Sequence, residues 1–336
     1  MSLAEVLSKA ARSDGGIGGA NWNGGPLSGL RNKIINGNFD VWQRSTNLTG
    51  TGGYLAADRW YVNGSGATVS LGRVIINHGD LPVDARARAR LTAQTADDNV
   101  GIWQKIEGVR TLAGRKATLT FWHRSNTGSL PTGLRAFIKQ KFGTGGTPNA
   151  DVTVFVPGTI PVTTAWTKFS AVIDVPSVAG LTLGSNGDDH LQVSIENAAN
   201  ETFVLDIAHV SLVEGDATGE DDPFSPRHPQ QELSLCQRYY QRRGLGIVGH
   251  ASTATQVRFA GFLREMRATP AAALLTTTPQ FVIGNGTQTA AGATVSTIQL
   301  TTNGFRGAME GFTGLTANLP GHVIGATDIL SFDAEL

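Results

Sequence analysis

Three arginines alternate with alanines over residues 85–90 (ARARAR). Successive side chains of a β-strand point to opposite faces, so a strand here would place Arg86, Arg88 and Arg90 on one face. Guanidinium groups bind phosphate and carboxylate through charge-assisted hydrogen bonds. The row therefore predicts a small site for an acidic sugar or a lipopolysaccharide phosphate. The alternatives are a solvated face, or salt bridges to a neighbouring strand or subunit.

Several tryptophans could offer flat apolar faces to a sugar ring. A tryptophan within a strand usually fills the core and finds a partner for its indole N–H, and most of these lie in strand-like runs. Trp103, which follows the polar segment 95–100, is the best candidate for an exposed platform. The tryptophans considered are Trp42, Trp60, Trp103, Trp122 and Trp166.

The histidines and carboxylates do not have the spacing of common catalytic motifs. The sequence has no HExxH, no Walker A motif, no GxGxxG after a strand and no GxSxG. Adjacent aspartates at 97–98, 188–189 and 221–222 lie in polar, loop-like segments and indicate turns. A glycosidase would need two acids that meet in space. The sequence therefore favours a non-enzymatic protein, with a polysaccharide depolymerase as an alternative.

Composition narrows the classes of partner. The chain has 27 basic and 27 acidic residues and 40% apolar residues. Balanced charge gives no general attraction to nucleic acid. No apolar run is long enough for a transmembrane helix, and the first residues lack the pattern of a secretory signal. We expect no nucleic-acid partner, no membrane insertion and assembly in the cytoplasm.

The chain divides into four predicted parts. Residues 1–31 form an arm, in which Leu3, Val6 and Leu7 follow helical spacing and Trp22 adds an aromatic group. So short a helix is marginal alone, so the arm is either a frayed terminus or an anchor to a partner. Residues 32–226 alternate β-branched runs with turn clusters, which predicts a β-sandwich. Strands are expected at 67–76, 117–123, 134–142, 152–156, 167–175, 190–196 and 202–213.

Three prolines within 221–229 end the sandwich, because proline continues neither a ladder nor a helix. Residues 227–247 are predicted to be a connector with one short helix over 232–243, in which Cys236 is packed. Residues 248–336 are polar and threonine-rich and are predicted to form a small C-terminal β domain. Its strands are expected at 256–263, 271–275, 280–283, 294–301, 304–312 and 328–332. So small a unit would have a thin core alone, which favours a homotrimer that shares it.

Five groups of short phrases resemble, in order, a family of bacteriophage tail-fibre and virion structural proteins. The likeness covers about residues 32–336 and leaves the arm unmatched. The phrases are IINGNFDVWQR (34–44) with AADRW (56–60), QKIEGVRTLAGR (104–115) with TLTFW (118–122), PFSPR (223–227) with LCQRYY (235–240), EMRATP (265–270), and AEL (334–336).

The resemblance implies an all-β chain: an N-terminal arm, a jelly-roll-like sandwich similar to carbohydrate-binding domains, a short helical connector and a small C-terminal β domain. In such jelly rolls an early Asn-Gly-x-Phe-Asp phrase and a late aspartate often hold a structural Ca²⁺. That implies Asp40 and Asp206 as ligands, with main-chain oxygens near Asn36 and Asn38. Alternatively, the two carboxylates cap turns or pair with Arg44 or Arg59.

The resemblance also implies a function. We expect a homotrimeric virion appendage, with the tail as the favoured location, that docks to tail or head proteins through residues 1–31. Its β domains would present a surface to polysaccharide or lipopolysaccharide of the host. The alternatives are a structural head fibre or capsid decoration protein without a ligand, and the depolymerase.

Overall fold

A computed structural model describes residues 21–22, 25–26, 31–125, 131–244, 247–284, 286–325 and 328–336. The chain divides into two compact units, Met1–Glu232 and Leu233–Leu336. The division falls inside the segment 227–247 that was expected to connect two β domains. Within the described residues, no helix is long and apolar enough to cross a membrane.

Antiparallel strands build the first unit. Their bounds are β1 (Asn21–Trp22), β2 (Gly25–Pro26), β3 (Asn47–Gly50), β4 (Gly52–Gly53), β5 (Tyr61–Asn63), β6 (Val69–Ile75), β7 (Ala87–Asp97), β8 (Gly101–Glu107), β9 (Lys116–Arg124), β10 (Leu134–Lys141), β11 (Val152–Phe155), β12 (Thr167–Asp174), β13 (His190–Asn197) and β14 (Glu201–Glu214).

Among the described strands of the first unit, β1 and β2 pair with each other and the other twelve form two six-stranded sheets. The first sheet has the order β11-β10-β13-β8-β5-β4, and the second sheet has the order β12-β9-β14-β7-β6-β3. The chain passes back and forth between the sheets, so neighbours in space are often distant in sequence. The predicted all-β, jelly-roll-like sandwich is confirmed.

The inward faces of both sheets meet in one apolar core. Alternation decides which residues enter it: Ile102 on β8, Val193 on β13 and Ile138 on β10 point inward, and their neighbours along each strand point out. Leu205 and Phe121 enter from the second sheet. The outward residues of the first sheet are therefore free to form a binding surface.

The aromatic phrase at 34–44 and the phrase at 56–60 fold into one hydrogen-bonded cluster. Asn36 takes a left-handed backbone (φ 57°), and its side chain donates to the carbonyls of Val41 and Asp58. The indole of fully buried Trp60 donates to the carbonyl of Asn36 at 2.9 Å. Asp58 accepts from the backbone N–H and side chain of Gln43 at 2.5 and 2.9 Å. These phrases thus hold the fold together.

Two contacts from this region fix strand β8. Gln104 points inward, and its amide exchanges two 2.7 Å hydrogen bonds with the backbone of Ile35. Arg59 donates to the carbonyl of Lys105 at 2.5 Å. Strand β8 is therefore held at the two residues that directly follow outward-pointing Trp103.

The connector contains a shorter helix than the sequence predicted. Helix α1 spans Pro229–Gln237, with proline at its first position, where the missing N–H costs nothing. The next residues form strand β15 (Tyr240–Arg243), which pairs with the C-terminal strand. The predicted helix over 232–243 is thus wrong in its second half, because pairing with a distant strand overrides local helical spacing. Cys236 is buried, as expected.

The second unit contains ten strands. They are β15, β16 (Ile247–Ala251), β17 (Gln256–Phe262), β18 (Ala271–Leu274), β19 (Gln280–Ile283), β20 (Gly286–Thr289), β21 (Thr294–Thr301), β22 (Gly304–Glu310), β23 (Pro320–Ile324) and β24 (Leu330–Asp333). They form a three-stranded sheet, β15-β24-β18, and a seven-stranded sheet, β20-β19-β23-β16-β17-β22-β21. Phe259, Phe281, Phe305, Phe312 and Phe332 fill its core.

Most of the predicted arm is not described. Leu3, Val6 and Leu7, the proposed virion anchor, lie outside the described residues. The backbone at Trp22 belongs to the short hairpin of β1 and β2, and its side chain lies outside the description. Arg31, where the arm ends, makes two 2.6 Å hydrogen bonds to Glu220 of the sandwich.

Candidate functional site

The outward face of the first sheet carries a groove of about 580 Å³. This volume lies in the range of small-ligand sites. Strands β8, β13 and β10 form its floor, and their register sets side chains in rows across the sheet. The groove is lined by Asn63, Ser65, Asn99, Trp103, Lys105, Arg135, Phe137, Lys139, Lys141, Thr153, Phe155, His190, Gln192 and Glu196.

One row of the groove is aromatic. Registered pairs place Tyr61, Trp103, Ser194, Phe137 and Phe155 side by side on five neighbouring strands. Four inter-strand spacings of about 4.8 Å make this row about 19 Å long. Ser194 and Phe137 are buried within the row. Half-buried Tyr61 and Trp103 at one end and exposed Phe155 at the other end are its accessible aromatic rings.

Trp103 is preorganised by its neighbours. Its ring stacks on Tyr61 with centroids 4.6 Å apart and planes 6° from parallel, and Tyr61 meets Tyr54 edge-on. On the other side of Ser194, Phe137 packs on Phe155 with centroids 4.9 Å apart. Phe155 is 54% exposed. Rigid aromatic rings lose little conformational entropy when a ligand binds.

Polar atoms without partners point to a ligand. Among the described residues, the buried nitrogens Trp103 Nε1, Arg135 Nε and His190 Nε2 have no hydrogen-bond partner. All three residues line the groove. Buried polar groups are normally paired, and leaving one unpaired costs free energy. A ligand rich in hydroxyl groups would satisfy both donors and acceptors here.

The role of His190 follows from its contacts. Its Nδ1 lies 2.8 Å from the carbonyl oxygen of Asp188, which can only accept, so Nδ1 carries the proton. Burial lowers the pKa of His190 and favours the neutral ring. Its Nε2 is then an acceptor, suited to a sugar hydroxyl.

Glu196 on β13 and Arg135 on β10 lie directly opposite each other on neighbouring strands. They are on the side of the aromatic row away from His190. Arg135 Nη2 lies 3.8 Å from Glu196 Oε2. Burial raises the pKa of Glu196 to about 7, against the opposing charges of Arg135 and Lys139. Gly101 leaves room for this carboxyl, since a Cβ there would lie 2.6 Å from Glu196 Cγ.

Glu196 is the one acid among the residues that line the groove. Glycosidases of the common type use two carboxyl groups on either side of the scissile bond. The described groove residues therefore suit binding better than hydrolysis.

The predicted arginine row lies on the second sheet and not with Trp103. Strand β7 includes Arg88 and Arg90, and Arg86 lies just before it and is exposed. Arg88 and Arg90 contact fully buried Asp206 at 2.9 and 2.7 Å, and Arg124 approaches it at 3.5 Å. For Arg88 and Arg90 the structure therefore shows salt bridges within the sheet, which was one alternative to an anion-binding site.

The residues suggested as calcium ligands do not fit such a site. Three guanidinium groups surround Asp206 and would repel a cation. The main-chain oxygen of Asn36 already accepts from the Trp60 indole and from the backbone N–H of Phe39, and the Asn38 side chain contacts His209 and the carbonyl of Asp84. Asp40 is exposed. Within the described part of the chain, no three His, Cys, Asp or Glu side chains cluster as metal ligands do.

Sequence reasoning found Trp103 but missed the rest of the groove. Phe137, Lys139, His190, Gln192 and Glu196 sit on strands that become neighbours only through the sheet order. One local signal was present: the outward positions of β10 read Arg135, Phe137, Lys139, Lys141, a polar and aromatic series beside apolar inward positions.

The chain matches no protein-family model and no curated protein. Solved structures similar to it include the CBM22-2 xylan-binding domain from Paenibacillus barcinonensis Xyn10C, with 15% identity, 47% of this chain and 92% of that chain covered, and a TM-score of 0.33. A putative sugar binding protein from Bacteroides thetaiotaomicron has 16% identity, coverage of 55% and 100%, and a TM-score of 0.34.

A third similar structure is the enzymatically active domain of tailspike protein 4 from bacteriophage CBA120. It has 18% identity and a TM-score of 0.32, and the likeness covers 56% of this chain and 22% of that one.

Proposed function

We propose that this chain is a non-enzymatic virion appendage, similar to a tail fibre or spike, whose sandwich binds a glycan on the host surface. The observation that carries the binding role is the groove: an aromatic row about 19 Å long with three unpartnered buried nitrogens along it. Sugars combine apolar ring faces with many hydroxyls, and this surface offers partners for both.

The appendage role has separate support. The ordered phrases at 34–44, 104–122, 223–240 and 265–270 resemble virion structural proteins. In this proposal the arm attaches the chain to the particle. Deleting residues 1–31 should then abolish incorporation into particles while the deleted protein still binds glycan. Unchanged incorporation would count against the arm as the anchor.

The proposed assembly is a homotrimer, and the second unit offers a surface for contact between copies. On its seven-stranded sheet, Phe262 is 88% exposed and Val248 is 60% exposed. Both line a groove of about 700 Å³ with Ala260 and Phe305. Exposed apolar patches of this kind mark association sites, and we assign this one to a second copy of the chain.

A glycan array tests the binding role. The full-length chain should bind a subset of bacterial surface glycans, and Trp103→Ala should lose that signal. Trp166→Ala is the matched control, because it removes a half-buried tryptophan from the second sheet. A full-length chain that binds no glycan would contradict the proposed function and leave a purely structural head-fibre or decoration protein.

A further inference from the structure

The groove carries a surplus of positive charge that the whole chain lacks. Lys105, Arg135, Lys139 and Lys141 line it, against the single acid Glu196. Across the chain, basic and acidic residues are equal at 27 each. The local surplus is therefore a property of the fold, which collects lysines from β8 and β10 onto one surface.

Two of these lysines flank a single position. The register pairs Gln192 on β13 with Lys105 on β8 and with Lys139 on β10. Their Cα atoms are thus two strand spacings apart, about 10 Å, and both long side chains can reach an anion above Gln192. This row is adjacent to the aromatic row, since Lys105 is two residues from Trp103 and Lys139 is two residues from Phe137.

The other charges of the groove differ in how far they are neutralised. Lys141 forms a 2.8 Å salt bridge with Asp151, and Arg135 lies beside Glu196. Lys139 is half-buried, and no hydrogen bond or ion pair involves it among the described residues. The charge of Glu196 acts on Lys139 through space, without a direct ion pair. Because partial burial reduces solvent screening, the Lys139 ammonium group can still attract a further anion.

We propose that the glycan bound in the groove is anionic. Its ring lies against Trp103, and its acidic substituent, a carboxylate or sulfate, is held by Lys139 and Lys105 above Gln192. This inference depends on the proposed binding role of the groove and adds the chemical class of the ligand. Arg88 and Arg90, which form salt bridges with Asp206 on the second sheet, have no part in it.

The burial of Glu196 is compatible with this ligand. Because its pKa is raised to about 7, a large fraction of this carboxyl is protonated near neutral pH. Its repulsion of a bound anion is correspondingly reduced, and the protonated group can donate a hydrogen bond.

Calorimetric titration of the full-length protein with three hexasaccharides tests the proposal. The probes are hexagalacturonate, its methyl ester and a sulfated heparin hexasaccharide. We expect an acidic hexamer to bind about tenfold tighter than the neutral ester, as charge-assisted hydrogen bonds would give, and added salt to reduce this preference. Hexagalacturonate carries carboxylates only, and the heparin probe carries both sulfates and carboxylates. Binding of hexagalacturonate therefore shows that a carboxylate suffices, and binding of the heparin probe alone shows that sulfate is needed.

Lys139→Gln should remove most of the preference for the acidic hexamer over its neutral ester. Lys116→Gln is the matched control, since Lys116 is an exposed lysine of the second sheet. Equal affinity for acid and ester would overturn the anionic ligand. A preference that survives Lys139→Gln would overturn the assignment of the acidic substituent to Lys139, and both results would leave the proposed function intact. No binding of any hexamer, by a protein that also gives no array signal, would overturn both.

Discussion

His123 is a fully buried imidazole on β9, beside Phe121. Neither ring nitrogen has a hydrogen-bond partner within the described structure. Burial lowers the pKa of His123 to about 4. A lowered pKa of a base means that the folded state resists protonation. The contribution of the neutral His123 ring to the free energy of unfolding is complete above pH 6.5. It is lost as the pH falls from 6.5 towards 4.

We predict that the variant His123→Phe loses less stability than the wild type as the pH falls from 6.5 to 4. At 1.4 kcal/mol per pKa unit, the wild type should lose roughly 3 kcal/mol more than the variant between pH 6.5 and pH 4. Urea unfolding at a series of pH values measures the difference. His78→Phe, at an exposed position, is the control. Parallel profiles for wild type and His123→Phe would contradict the prediction.

Glu196 should produce the opposite dependence. Its pKa rises from 4.5 to about 7 on folding, chiefly through burial. The folded state therefore holds this proton more tightly than the unfolded state, and stability falls as the pH rises from 4.5 to 7. We predict that, between pH 4.5 and pH 7, the free energy of unfolding of Glu196→Gln rises by roughly 3 kcal/mol relative to that of the wild type. Unfolding curves that keep a constant separation between pH 4.5 and pH 8 would refute it.

At the scale of elements, the cluster on the second sheet ties β7, β9 and β14 together. Asp206 on β14 is the shared counterion of Arg88, Arg90 and Arg124. Removing the Asp206 carboxylate leaves the charge of the buried Arg88 guanidinium without this counterion. We predict that Asp206→Asn destabilises the protein by about 3–5 kcal/mol, as measured by urea unfolding.

The control is Asp174→Asn, which removes an exposed partner of Lys116. It should change stability by less than about 1 kcal/mol. If Asp206→Asn has an equally small effect, the three arginines do not depend on this carboxylate in the way described.

Strands were the most predictable elements of this chain. The prediction 294–301 matches β21, and 167–175 differs from β12 by one residue. These runs are rich in β-branched residues and are bounded by glycine, proline or polar turns, so local chemistry defines them. The helix prediction failed at 238–243 because β15 depends on β24, about ninety residues away.

The groove was predictable only in part for the same reason. Trp103 could be singled out from its own surroundings, but its partners Phe137 and Lys139 come from β10, with β13 between. Conversely, the regular ARARAR spacing drew attention to a row in which Arg88 and Arg90 form salt bridges with Asp206, 116 residues from Arg90. Register across a sheet is a long-range property, and a local pattern does not contain it.

At the scale of the whole molecule, the trimer proposal predicts a mass of about three times 35.3 kDa for the full-length chain in solution. Replacing 88%-exposed Phe262 with serine should shift this mass towards the monomer, because the apolar contact between copies is lost. Multi-angle light scattering at micromolar concentration measures it. Phe155→Ser, which removes an exposed aromatic of the sandwich groove, should leave the mass unchanged.

A monomeric wild type would contradict the trimer, and a trimer unaffected by Phe262→Ser would place the contact elsewhere than on this face. Neither result would affect the groove, because every residue that lines it belongs to the first unit.

The central claim is that the outward face of the first sheet binds saccharide through Trp103. Fluorine NMR of the full-length chain labelled with 5-fluorotryptophan tests it directly, because each tryptophan gives its own signal, assigned by single Trp→Phe replacements. On titration with the saccharide that gives the strongest array signal, the Trp103 resonance should shift and saturate while that of Trp166 stays constant. If the saccharide binds but the Trp103 resonance does not shift, the account is contradicted.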